Sequence, residues 1–154
     1  MTKRELITPA ATKDLYLPVM AEITDVRQMT PLEKLFEIRL PGGADLGHRP
    51  GQFVEVSLFG VGEAPISISS SPTKKGAFDL GIRKVGMLTE MIHRMQPGER
   101  IGIRGPFGRG FDMAKFKGKD VLVVAGGIGL VPLRSLINYV LDNRADFGRL
   151  VICY

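Results

Sequence analysis

Three short stretches carry residue types that could hold a charged organic ligand. Gly127-Ile128-Gly129-Leu130-Val131-Pro132 follows the apolar run Val121 to Ala125 and opens a segment of helical period. Glycines between a buried strand and a helix let backbone approach a pyrophosphate, and the free amides and dipole of the helix start attract it. Proline suits the first helical turn. The same stretch also reads as a tight turn packing the helix on its sheet, and Pro132 stands where the usual dinucleotide fingerprint has its third glycine. A second stretch, Gly86-Met87-Leu88-Thr89, opens another helical segment with Arg83 and Lys84 just upstream. Its amides could hold a phosphate and the two cations could balance its charge. Equally, Thr89 could cap the helix while the cations are solvated. The third stretch, Ala64-Pro65-Ile66-Ser67-Ile68-Ser69-Ser70-Ser71-Pro72, puts several hydroxyls on one strand face. They could bond a polar heterocycle or merely solubilise that face.

The elements that must position these residues follow from hydrophobic period. Ala21, Ile23 and Val26 mark one strand, and Leu35 to Leu40 alternate in a second, ended by Pro41-Gly42-Gly43. Val54-Val56-Leu58, Ile66-Ile68, Phe78-Leu80-Ile82 and Ile101-Ile103 supply four more. Short strands with turn signals about every dozen residues predict a six-stranded antiparallel barrel. Leu88, Met91, Ile92 and Met95 have the spacing of a helix with one apolar stripe, which caps an open end of the barrel and stops at Pro97-Gly98. After Gly110 the pattern changes. Val121 to Ala125 reads as a strand buried on both faces of a parallel sheet, a helix follows with Leu133, Leu136, Ile137, Val140 and Leu141 on its apolar face, and Leu150 to Tyr154 begins another strand. One β-α-β unit leaves both sheet edges open and should not be stable alone, so this part reads as a truncated second domain or one completed by a partner.

Composition narrows the classes. Glycine, at 19 of 154 residues, is about 12% against a usual 7%, with no collagen period. The net charge of +5 is spread along the chain and there is no Trp, which argues against nucleic acid and suits anionic ligands. Cys153 is the one cysteine, so neither an internal disulfide nor a multi-cysteine metal site is expected. No apolar run is long enough to span a bilayer, and the chain reads as cytoplasmic. His48 and His93 have no acidic residue at metal-ligand spacing, and His93, beside Arg94, reads as a surface residue. There is no Gly-x-Ser-x-Gly elbow, and Gly118-Lys119-Asp120 lacks the remaining features of a P-loop.

Pro50-Gly51-Gln52-Phe53-Val54, Pro65-Ile66-Ser67, Gly86-x-x-Thr89, Gly105-Pro106-Phe107-Gly108 and Gly127-x-Gly-x-x-Pro132 occur in that order. In this register the chain, from about Tyr16 onward, resembles the ferredoxin–NADP reductase superfamily. Within it the chain is most similar to the flavin subunits of multi-subunit complexes: sulfhydrogenase gamma, the flavin subunit of anaerobic sulfite reductase and the dihydroorotate dehydrogenase electron transfer subunit. The resemblance implies an FAD-binding barrel followed by an NAD(P)-binding domain. By it, Pro65, Ile66 and Ser67 line the isoalloxazine and ribityl region, with the Ser67 hydroxyl near flavin N5, where hydride arrives from nicotinamide C4. Gly81, Ile82 and Arg83 contact the rest of the FAD, Leu88 and Thr89 hold its pyrophosphate, and Gly127, Gly129 and Pro132 accommodate the nicotinamide dinucleotide. Two departures stand out. Ala64 replaces the family's arginine, which shifts charge neutralisation toward Arg83 or Lys84. The four cysteines that hold a [2Fe–2S] cluster in the sulfhydrogenase-like branch are absent, so such a cluster belongs to a missing C-terminal segment or to a partner.

The expected organisation is a flexible arm over 1–15, an FAD barrel over 16–115 and an incomplete NAD(P)-binding domain over 116–154. The expected function is electron transfer between NAD(P)H and iron–sulfur partners within a redox complex, without nucleic acid, resident metal or membrane insertion. The alternative is a docking subunit that keeps the barrel without the cofactor.

Overall fold

Alternating apolar residues in the first hundred positions build one antiparallel sheet that curls on itself. The structure is a computed structural model and describes residues 16–154; the arm read over 1–15 lies outside the described residues. Strands β1 (Val19–Gln28), β2 (Glu33–Arg39), β3 (Phe53–Leu58), β4 (Gly62–Ser67), β5 (Phe78–Arg83) and β6 (Arg100–Phe107) run in the order β4-β3-β6-β1-β2-β5, each pair antiparallel. A single bridge between Ile68 and Leu80 joins the two ends of that order and closes the barrel. Ile23, Phe36, Val56, Leu80, Ile82 and Ile101 point inward and are fully buried. Burial of such side chains stabilises by about 1.5–3 kcal/mol each, which is what selects this register over its one-residue slips.

The fourth strand starts earlier than its apolar period suggests. Tight pairing of Leu58 with Gly62 and the Val61 N–H to Leu58 O bond of 3.1 Å set the β3–β4 hairpin, so β4 begins at Gly62. Pro65, which has no N–H to donate, is tolerated because β4 is an edge strand. Ser69, Ser70 and Ser71 leave the strand, and all three are buried rather than displayed on a solvated face.

Helix α1 (Met87–Arg94) packs Ile92 into the barrel core, with Leu88 and Met95 partly buried beside it, while Met91 faces solvent. His93 is buried on the same side at 9% exposure, which corrects its reading as a surface residue. Its Nε2 lies 2.8 Å from the Ile82 carbonyl and its ring 5.9 Å from that of Phe36. A polar ring can be buried here because β5, at the seam of the barrel, offers it a carbonyl.

Beyond the barrel, β7 (Val121–Val124) and β8 (Leu150–Cys153) pair in parallel across α2 (Leu130–Asp142). Leu136, Ile137 and Val140 of α2 pack on Val121 and Val123. The other face of β7 is open: Leu122 is 66% and Val124 68% exposed, so only one face is covered among the described residues, where the continuous apolar run suggested two. Among the described residues, no helix is long and apolar enough to cross a membrane.

Candidate functional site

Two regions meet at the seam where β4 and β5 come together. On the barrel side, alternation turns Ile66 toward the core, so Pro65 and Ser67 face outward along the end of β4. On β5 the side chain of Ile82 is fully buried and its carbonyl is taken by His93. Arg83, at the exposed end of β5, has its Nε 3.5 Å from Glu33 Oε1. Helix α1 packs against both strands and opens beside them.

The start of α1 is built around Thr89. Its Oγ1 accepts the Val85 N–H at 2.9 Å and the Gly86 N–H at 3.1 Å, and donates to the Gly86 carbonyl at 3.0 Å. The hydroxyl is therefore fully used in shaping the turn, and any ligand must meet backbone instead. The first-turn N–H groups have no intrahelical acceptor, and Gly86, at the N-cap position, has no side chain to offer them. Gly86 is extended, with φ −173°, a conformation open to any residue, and a Cβ there would meet nothing within 4 Å. Among the described residues nothing calls for glycine at this position; an anion seated on the amides would.

The glycines of the second unit divide in the same way. Gly127 has φ +52°, which favours glycine, whereas Gly129 is helical and a Cβ on it would meet nothing within 4 Å. Gly129 thus leaves open space at the mouth of α2, with Pro132 in the first turn behind it. Gly81 is the contrasting case. A Cβ on it would lie 2.4 Å from Val131 Cγ1, so the space beside this residue is filled by the chain's own helix.

Barrel and second unit face each other across a cleft of about 250 Å³. Leu35, Gly81 and Arg83 line its barrel wall, and Gly127, Ile128, Val131 and Arg134 the other. The cleft thus brings Gly81, Arg83 and Gly127 together, while Pro65, Ile66, Ser67, Leu88, Thr89, Gly129 and Pro132 lie outside it. Arg134, which lines the cleft, reaches beyond it to a charged group on the barrel where α2 touches β5. Asp79, only 4% exposed, binds Lys74 Nζ through Oδ1 at 2.5 Å and Arg134 Nη1 through Oδ2 at 3.1 Å. Lys74 also reaches Glu37 at 2.8 Å. That hydrogen bond, with one from Thr24, holds the Glu37 carboxyl below its ordinary range. Burial works against the charge of Lys74, but its bonds to Asp79 and Glu37 outweigh it and leave the ammonium above its ordinary value. Arg134 and Asp79 carried no joint sequence signal, because only tertiary pairing brings them together.

The donor set fits a dinucleotide flavin: amides without acceptors at α1, an outward hydroxyl at Ser67, and cations Arg83 and Lys84 at the adjoining strand end. Among the described residues, no group of three or more His, Cys, Asp or Glu side chains could hold a metal ion.

Comparison with known proteins agrees with this architecture. Residues 20–111 match the family model of the oxidoreductase FAD-binding domain. The chain is 41% identical to sulfhydrogenase 1 subunit gamma of Pyrococcus furiosus over 153 residues, which is 97% of this chain and 52% of that protein. It is 44% identical over 88 residues to a probable dihydroorotate dehydrogenase B (NAD(+)) electron transfer subunit of Methanothermobacter thermautotrophicus, covering 57% of this chain and 32% of that one. The chain therefore spans about half, or less, of the length of these relatives. Among solved structures, phthalate dioxygenase reductase superposes with a TM-score of 0.73 at 18% identity, over 88% of this chain and 42% of that chain, a likeness of fold.

Proposed function

Because the chain belongs to the oxidoreductase FAD-binding domain family, we propose that it is the flavin-carrying part of an electron-transfer subunit in a redox complex. The observation that carries this reading is the open mouth of α1, where Gly86 leaves first-turn amides without an acceptor beside the β4–β5 seam. Backbone at Met87, Leu88 and Thr89 would hold the FAD pyrophosphate, with Arg83 and Lys84 balancing its charge. Ser67 would direct its hydroxyl at the flavin ring, and Pro65 would border that ring from the outer face of β4. Bound FAD would supply the exchange between two-electron transfer from a nicotinamide and one-electron transfer to iron–sulfur partners. The residues of this chain would bind and orient; none is required as an acid or base. The names of the relatives, subunits of sulfhydrogenase and of dihydroorotate dehydrogenase B, support a multi-subunit setting.

The Gly127–Gly129 turn and Pro132 would receive the dinucleotide of NAD(P)H across the cleft from Arg83. With one β-α-β of that unit present in the 154 residues, their own NAD(P)H oxidation should be slow. The test is anaerobic mixing of the FAD-loaded protein with NADH or NADPH, followed by an iron–sulfur protein as acceptor. Bleaching of the flavin by a nicotinamide, with electrons passed on to the acceptor, is the expected result for the protein in its complex. Failure of both nucleotides to bleach a fully loaded flavin there would overturn the reading. Fast turnover by the 154-residue chain alone would overturn the dependence on a completed nucleotide unit.

A further inference from the structure

Arg134 and Ser135 sit near the start of α2, and both reach the short segment that follows Ser67. Arg134 Nη1 donates to Asp79 Oδ2 at 3.1 Å and lies 3.4 Å from the Ser69 carbonyl. Ser135, fully buried, donates its hydroxyl to the Ser70 carbonyl at 2.6 Å. The same carbonyl meets His48 Nε2 at 3.0 Å, and the Ser70 hydroxyl accepts the Asp79 N–H at 2.9 Å. Ser69 completes the strip, with its N–H on the Asp79 carbonyl at 2.9 Å and its hydroxyl on the same atom at 3.1 Å. The segment 69–70 is thus bonded to the barrel on one side and to α2 on the other, only a few residues from the outward hydroxyl of Ser67.

Other contacts between the two units include Phe111, at the chain junction, against Gly51. Val131 lies against Gly81 without a directional bond, and the Thr73 hydroxyl reaches Asp142 at an exposed position. Small polar interfaces between units permit relative motion unless something holds them. Asp79 does not need Arg134 for its own burial, because Lys74 already pairs with it on the barrel side. A charge-assisted bond from a planar guanidinium to a buried carboxylate is directional as well as strong, which suits it to fixing an angle.

We propose that Arg134 is a positioning residue: held by Asp79 and the Ser69 carbonyl, it fixes α2 on the barrel and so sets the distance between the Gly127–Gly129 turn and the β4–β5 seam. This rests on the reading of the seam as the flavin site and of the turn as the nucleotide site. It adds the element that holds the two in register.

The experiment uses the whole chain with spin labels on native Cys153, exposed at the end of β8, and on a cysteine introduced by Arg100→Cys at the exposed start of β6. The distance distribution between labels is measured alongside FAD affinity. The otherwise unsubstituted protein should give one narrow distance. Arg134→Leu should broaden it and shift it to longer values, Arg134→Lys should recover part of the narrow population, and Asp79→Asn should broaden it as Arg134→Leu does. The double substitution should be no broader than either single one, and FAD affinity should stay unchanged in Arg134→Leu. An Arg134→Leu distribution identical to that of the parent would overturn the proposal, as would full additivity in the double variant. Lack of FAD uptake by the parent would instead overturn the functional reading, and the distances would still decide the role of Arg134.

Discussion

Glu37 and Asp79 stand directly opposite each other across β2 and β5, and both bind the ammonium of Lys74. Two carboxylates facing across a strand pair repel, so this register depends on the cation between them. Replacing Lys74 by methionine should cost about 2 kcal/mol at neutral pH, the scale of a partly buried charge-assisted bond. Glu37 is held below its ordinary range, so its contribution is present above about pH 4.3 and lost as pH falls through the folded value. Urea unfolding at neutral and acidic pH checks both parts: the deficit of Lys74→Met should shrink as the Glu37 carboxylate protonates.

Placing aspartate at position 86 should move stability and ligand affinity in opposite directions. Gly86 already has the extended backbone of an N-cap, and Asp is a better cap than Gly by a few tenths of a kcal/mol. The new carboxylate would occupy the first-turn amides and repel a pyrophosphate. Gly86→Asp should therefore melt at or above the parent temperature yet bind FAD about tenfold or more weakly, equivalent to about 1.4 kcal/mol. Flavin fluorescence titration with a thermal melt distinguishes this from simple damage to the helix.

At Gly81 the constraint comes from packing. An added methyl would press on Val131, and overpacking of this kind costs about 1–3 kcal/mol. Gly81→Ala should lose that stability, and Val131→Ala in the same chain should restore much of it. A double-mutant cycle in urea measures the coupling; strict additivity would show that α2 does not lie on β5 as described.

His48 should give the fold a dependence on mildly acidic pH. Burial pushes its imidazole below the ordinary value, only partly offset by the Ser70 carbonyl. The unfolded chain takes up a proton near pH 6.5 while the folded one resists it, so the contribution is complete above that pH and is lost as pH falls toward the folded value. Between about pH 7 and 5 the stability of the protein should fall more steeply than that of a His48→Gln variant, as urea midpoints will show.

The barrel was legible in the sequence because its strands bury one face: Phe78, Leu80 and Ile82 alternate with Asp79, Gly81 and Arg83, and the inward set is the observed core. The mouth of α1 was legible for a similar reason, since Gly86 and Thr89 are local in the chain. What periodicity does not encode is which polar residue finds a partner across the fold. His93 looked like a surface residue because the Ile82 carbonyl that satisfies it lies on another element. Ser69 and Ser70 read as hydroxyls offered to a ligand or to solvent, yet they tie β5 to α2, and the outward Asp79 is buried where Lys74 pairs with it and Arg134 reaches it from α2. That Gly81, grouped in the sequence with cofactor contacts, also lies against Val131 of α2 is likewise a tertiary fact.

The most direct measurement is the flavin content of the purified chain, read from its visible spectrum and from FAD released on denaturation. The account predicts a yellow protein that carries, or takes up from added FAD, one flavin per chain with saturable affinity. A colourless protein that binds no added FAD would contradict it and would favour a barrel kept for docking alone.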